Sequence, residues 1–299
     1  MAAVFSCLVG IGFGQTTFYW DRNGATTGAG TTPTGTWDTT SANWNTNSGG
    51  TTAAETFTSG GNAVFSAGTN ATGTYTVTVS GTQNVSSINV QEGTPTFTGG
   101  TINFSDSTPD FTVGSGRTVT VNSNISGTNG LNKLGAGTLV FASSDKTYTG
   151  TTNISAGILS LTANQAFDTV SLTGGTLSLN NVSASITTLQ ITANSTIDFA
   201  GSSSTLNVTN LSISAGVTLT ITNWANAADF FYTTNWTGAT YNTSGAAPMN
   251  RIDFNGAPAS ATLWQGYDNQ ITPVPEPSLY GALLLLAASG FVFWRRQTA

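Results

Sequence analysis

The sequence predicts an all-β chain: a right-handed parallel β-helix, or solenoid, with aromatic-rich end caps and one C-terminal transmembrane helix. Three observations carry this expectation. An apolar-x-apolar unit returns at near-regular spacing through the middle of the chain. Charged residues make up only 7% of the sequence, against about 25% in ordinary soluble domains, and Gly, Thr, Ser and Asn fill the gap. A hydrophobic share of 38% still supplies a core, which separates the chain from disordered sequences. Finally, a short leucine-rich run stands close to the end of the chain.

Residues 1–14 are apolar with small side chains, and Gly12-Phe13-Gly14 sets small residues before Gln15. This fits the hydrophobic region and cleavage site of a secretory signal peptide, although no Lys or Arg precedes Arg22. Cys7 would leave with this segment, so neither disulfides nor thiolate metal sites are expected in the mature chain. Residues 15–95 hold Trp20, Trp37 and Trp44 and are expected to cap the N-terminal end of the solenoid. An open end exposes unpaired backbone, and solenoids answer with atypical terminal repeats.

Residues 96–222 carry the repeat. The unit appears as Ile102-Asn103-Phe104, Val119-Thr120-Val121, Leu139-Val140-Phe141 and Leu159-Ser160-Leu161, then as Leu177-Ser178-Leu179, Ile197-Asp198-Phe199 and Leu219-Thr220-Ile221. Successive first positions lie 17, 20, 20, 18, 20 and 22 residues apart. Alternation at period two marks a strand with one buried face, and a fixed return distance marks coils stacked on their neighbours. A second series runs through Phe111, Val170, Leu189 and Leu211, giving two or three short strands per coil. Leu139, Leu159, Leu177 and Ile197 should share one inward column, with Asn103, Thr120, Val140, Ser160, Ser178, Asp198 and Thr220 as an outward stripe. A β-sandwich is the competing architecture, since turn signals at sandwich spacing are also present.

Within this stretch, Gly130-Leu131-Asn132-Lys133-Leu134-Gly135-Ala136-Gly137-Thr138-Leu139, followed by Tyr148-Thr149-Gly150 and Ala156-Gly157-Ile158-Leu159, resembles the autotransporter-associated β-strand repeat. The opening Tyr19-Trp20-Asp21, Gly35-Thr36-Trp37-Asp38 and Asn43-Trp44-Asn45 is similar to the start of passenger proteins that carry it. The resemblance implies an exported, β-helical, surface-displayed protein. No β-barrel translocator follows the repeats here, so release through such a pore is not expected.

Residues 223–272 break the period and are rich in aromatics, among them Trp224, Phe230, Phe231, Tyr232, Trp236, Phe254 and Trp264. Burial as end plugs is the leading expectation; a sugar-stacking platform is the alternative. Residues 273–299 read Val274-Pro275-Glu276-Pro277-Ser278, then an uncharged run from Leu279 to Trp294 that includes Tyr280 and Leu283-Leu284-Leu285-Leu286, then Arg295-Arg296. Alternating prolines hold the motif extended. The run spans roughly 24 Å as a helix, short for an anchor, and arginines after it favour a cytoplasmic end. This order resembles the PEP-CTERM sorting signal, which implies recognition and processing near the Pro-Glu-Pro motif by the membrane transpeptidase exosortase. The inner membrane would hold the chain before processing, and the surface or extracellular matrix would receive it afterwards.

Chemistry is sparse. The sequence has no histidine, which removes Ser-His-Asp and Cys-His catalysis and imidazole metal sites. Asp106 and Asp110 flank a turn and do not make a glycosidase pair on sequence grounds. Asp198 stands alone on the outward stripe, and Lys133 is expected to cap turn carbonyls. Trp20-Asp21 and Trp37-Asp38 offer oxygens for at most one cation. No cofactor, no catalytic residue and no metal site is therefore expected. A net charge of −6 argues against nucleic acid as a partner. The reading is a non-enzymatic structural or adhesive surface protein, with extracellular polysaccharide as a further partner class. The alternatives are a polysaccharide-active β-helix enzyme, which needs clustered carboxylates in a cleft, and a carbohydrate-binding protein, which needs exposed coplanar aromatics.

Overall fold

A computed structural model describes residues 15–144, 146–237, 248–254, 262–265 and 268–273. The first strands are β1 (Thr17–Trp20), β2 (Gly35–Trp37), β3 (Trp44–Asn45), β4 (Gly61–Phe65) and β5 (Thr74–Val79). Regular winding follows with β6 (Thr82–Val90), β7 (Thr94–Thr98), β8 (Thr101–Phe104), β9 (Asp110–Val113), β10 (Thr118–Val121) and β11 (Asn124–Ser126). The chain continues through β12 (Leu131–Leu134), β13 (Thr138–Phe141), β14 (Thr151–Ile154), β15 (Ile158–Leu161), β16 (Gln165–Leu172) and β17 (Thr176–Leu179). Then come β18 (Ser183–Ile191), β19 (Ser195–Asp198), β20 (Thr205–Ile213), β21 (Leu219–Thr222) and β22 (Phe230–Thr237). A 3₁₀ turn at Met249–Arg251 precedes β23 (Ile252–Phe254), β24 (Thr262–Gln265) and β25 (Gln270–Pro273).

These strands form a β-solenoid of about eight turns. Each turn visits three sides. The first two belong to one 15-stranded sheet, because β6 pairs with β8 through its first half and with β9 through its second. The third side is a 10-stranded sheet running from β2 to β23. In β16, β18 and β20 the first two sides fuse into one long strand that turns a corner. Asp168 and Thr169 follow the buried Phe167 without a buried residue between them, and the alternation resumes at Val170. Parallel pairing already links β1 to β4, β4 to β6, and β2 to β5, so winding begins upstream of the repeats read from the sequence.

Leu139, Leu159, Leu177 and Ile197 pair in succession and are fully buried, as one inward column. Two members of the proposed series fall elsewhere. Ile102 lies in β8 on the first side, away from Val119 in β10. Leu219 sits opposite Ser195, and Ile221 takes the column position beneath Ile197. Both departures share a cause: every side of the coil presents the same apolar-x-apolar pattern, so local alternation does not say which side a strand joins. The outward stripe on the third side accordingly ends at Thr222 instead of Thr220, and Asn103 belongs to the first side.

Glycines permit the tight corner between the second and third sides. Gly135 and Gly157 have φ of +73° and +63°, and a Cβ on Gly157 would lie 2.3 Å from the Gly137 carbonyl oxygen of the turn beneath. At the two ends the parallel run is closed by reversed strands: β3 pairs antiparallel with β1, and β25 antiparallel with both β22 and β24. No helix among the described residues is long and apolar enough to cross a membrane. The expected signal segment 1–14 and the expected membrane run Leu279 to Trp294 lie outside the described residues.

Candidate functional site

The repeat's most unusual residue is a charge placed in the apolar column of the second side. Lys133 pairs with Phe111 on one side and Ile154 on the other and is fully buried. Its Nζ donates to the carbonyl oxygens of Leu134 at 2.9 Å, Gly135 at 2.8 Å and Ala156 at 3.0 Å. Two of these acceptors belong to its own corner and the third to the next coil, so one ammonium braces two stacked turns. Burial lowers its pKa to about 8; the three carbonyls favour the charged form. The sequence reading of a turn cap is correct, with the addition that the side chain works from inside the core.

Lys146 repeats the device at the corner between the third and first sides, and sequence reasoning missed it. Its Nζ donates to Ser123 O at 2.8 Å, Val121 O at 3.3 Å and Ser143 Oγ at 2.9 Å, and lies 5.4 Å from the Phe141 ring centroid. Only an isolated parallel bridge, Ile125 to Lys146, marks its place in the stack, so it carries no apolar alternation that would reveal it.

The acids are spent on structure. Asp106 accepts from the Thr108 amide at 3.3 Å and from Ser107 Oγ at 3.2 Å, which lowers its pKa, the Thr108 amide contributing most. Asp110 accepts from Asn132 Nδ2 of the next coil at 2.9 Å. The two carboxylates thus serve a turn and a ladder separately. Asp198 is outward but not solitary: it accepts from Ser178 Oγ at 3.1 Å, Thr222 Oγ1 at 3.0 Å and Asn223 Nδ2 at 2.6 Å. Asn180 Nδ2 donates to Ser160 Oγ at 2.9 Å on the same face, so the outward stripe is a polar ladder.

The cap acids likewise turn on backbone amides. Asp21 accepts from the Asn23 amide and Asn45 Nδ2, and burial raises its pKa. Asp38 accepts from the amides of Thr40 and Ser41; burial opposes these bonds, but they prevail and hold its pKa low. Among the described residues no group of three His, Cys, Asp or Glu side chains is placed to hold a metal.

The aromatics divide by end. Trp20, Trp37 and Trp44 are fully buried with Phe65 and Phe57 in one cluster of rings. At the other end Trp224 bridges Phe199 and Phe254 at 5.0 and 4.9 Å, as a plug. Phe230 and Tyr232 face outward, half-buried and stacked at 5.9 Å with 3° between their planes. Tyr232 closes one end of a groove of about 370 Å³ across the outer face of β16, β18, β20 and β22, and Tyr148 stands at the other end. The expected sorting motif Val274-Pro275-Glu276-Pro277-Ser278 and Arg295-Arg296 lie outside the described residues.

Residues 131–161 match the family model of the passenger-associated transport repeat. The match covers β12 through β15 and contains both lysine braces and the glycine corner. No curated protein and no solved structure matches the chain.

Proposed function

We propose that this chain is an exported passenger-type surface protein whose β-solenoid does structural or adhesive work, and whose C-terminal tail is the substrate of an exosortase. The observation that carries the reading is the passenger-repeat match at residues 131–161, set on a coil whose corners are held by buried lysines. A solenoid of this kind suits a surface role for a physical reason. Its stability comes from nearest-neighbour stacking, so length is added without a larger core. Its winding would be right-handed, as parallel crossovers nearly always are.

The tail reading rests on the order Val274-Pro275-Glu276-Pro277-Ser278, apolar run, Arg295-Arg296. The stiff motif enters a protease groove with little ordering entropy to lose. A short span makes a temporary anchor in the inner membrane, and the arginines would fix its orientation. Mass spectrometry of the C-terminus from exosortase-bearing cells tests this: the expected product ends near Pro275-Glu276-Pro277, and chains still ending at Ala299 would overturn processing. Protease shaving of intact cells tests display apart from processing, since a surface protein loses its solenoid signal whichever C-terminus it has.

A further inference from the structure

We propose that the groove across β16, β18, β20 and β22 binds an extended, uncharged polysaccharide strand lying along the solenoid axis. This names a ligand class for the surface role and rests on that role for its biological setting alone. The groove is built from outward positions in register: Ser185 pairs with Asn207, and Asn207 with Tyr232. Ser185, Thr187, Asn207 and Thr209 are all exposed. One such set recurs at each coil, about 4.8 Å apart along the axis. A hydroxyl-lined polymer running across the strands therefore meets an uncharged polar pair on β18, Ser185 and Thr187, and another on β20, Asn207 and Thr209, before reaching Tyr232 and Thr234 on β22.

Charge decides the polymer class. The groove's lining holds one charged residue, Asp168, and no cation. A polyanion would find no counter-charge and one repulsion, which disfavours nucleic acid and uronate chains. The ends decide between sugar and peptide. Tyr232 presents a half-buried ring with an apolar body and a polar edge, suited to the face of a pyranose ring. Tyr148 packs against the core with its hydroxyl on the buried Thr152 and closes the other end of the groove. Phe230 stacks behind Tyr232, and Thr152 Oγ1 holds the Tyr148 hydroxyl at 2.7 Å, so both rings are set before a ligand arrives. A peptide strand lacks its usual means of attachment, because β18 and β20 are paired on both sides and offer no free backbone edge. The volume lies within the range of small-ligand sites.

Calorimetric titration of the purified full-length chain with cellohexaose, mannohexaose, laminarihexaose and hexagalacturonate tests the proposal. At least one neutral hexasaccharide should bind saturably, and hexagalacturonate should bind at least tenfold more weakly. Thr187→Arg, which blocks the middle of the groove from an exposed position, should weaken binding at least tenfold. Tyr232→Ala should weaken it about fivefold. Gln190→Arg, exposed on the same strand outside the groove, should leave it unchanged. Thermal unfolding confirms that each variant is folded; should Tyr232→Ala fail there, Thr187→Arg still decides. The proposal is overturned if no neutral hexasaccharide binds, if the uronate binds better, or if Thr187→Arg binds as the parent does. None of these results depends on sorting of the tail.

Discussion

The N-terminal end and the coils from β10 to β21 bury their apolar side chains by different rules. In the coils each core residue has a fixed neighbour above and below, as Leu159 has Leu139 and Leu177. At the end, Trp44 touches four rings, those of Trp20, Trp37, Phe57 and Phe65, at 4.8 to 5.2 Å. These rings come from separate strands and an intervening loop, and Trp20 and Trp44 face each other across an antiparallel pair instead of a parallel ladder. The two regions meet at Phe97, which contacts Phe65 at 4.9 Å and stands in a column between Val77 and Val121. Ordered stacking therefore adds coils one at a time, whereas closing an end takes a many-body cluster whose members act together.

Loss of the Trp44 ring removes four ring contacts from the end cluster at once. Trp44→Ala should cost about 3–5 kcal/mol in chemical denaturation, and hydrogen exchange should show β1 to β5 opening well before β13 to β19. Uniform loss of protection along the chain would mean that the end cluster is not a separate unit. Leu159→Ala should cost about 2–5 kcal/mol. Combined with Trp44→Ala, its effect should add to within about 0.5 kcal/mol, because the sites share no partner.

Lys133→Met sharpens the contrast within the coils. Removing the ammonium takes a donor from three half-buried carbonyl oxygens, and a loss of about 2–3 kcal/mol is expected near neutral pH. Its pH profile is informative as well. With a folded-state pKa of about 8, below the free lysine value of 10.5, the unfolded chain holds more protons between those limits. Stability should therefore rise with pH from about 8 to about 10.5 relative to Lys133→Met, as read from denaturation midpoints. Asp198→Asn should have the smallest effect, about 1 kcal/mol, because it disturbs a half-exposed ladder of three hydrogen bonds.

How much of this was legible in the sequence follows from what each feature needs. The Leu139–Ile197 column needs only alternation and a return distance, and both stand in the sequence. The side to which Ile102 belongs, and the two-residue slip at Leu219, depend on how far each corner loop reaches, which the alternation does not record. Lys133 was found because its motif surrounds it; Lys146 was not, because its bridge sits in a loop. The groove was invisible for another reason. Ser185, Asn207 and Thr209 are ordinary in a chain so rich in such residues, and only the winding sets them side by side. The tail motif was legible as a pattern because its prolines, apolar run and arginines follow one another in the chain.

The two lysine braces have a consequence for how this protein meets reagents and enzymes. Lys133 and Lys146 are the only lysines in the sequence, and both ammonium groups are turned onto corner atoms inside the solenoid. A lysine-directed protease or an acylating reagent therefore finds no ε-amine on the described surface while the coils stay closed. Each labelling event at these positions records an opening of that corner. The rate of lysine modification becomes a local clock for the coil at residues 131–161, read without any engineered probe.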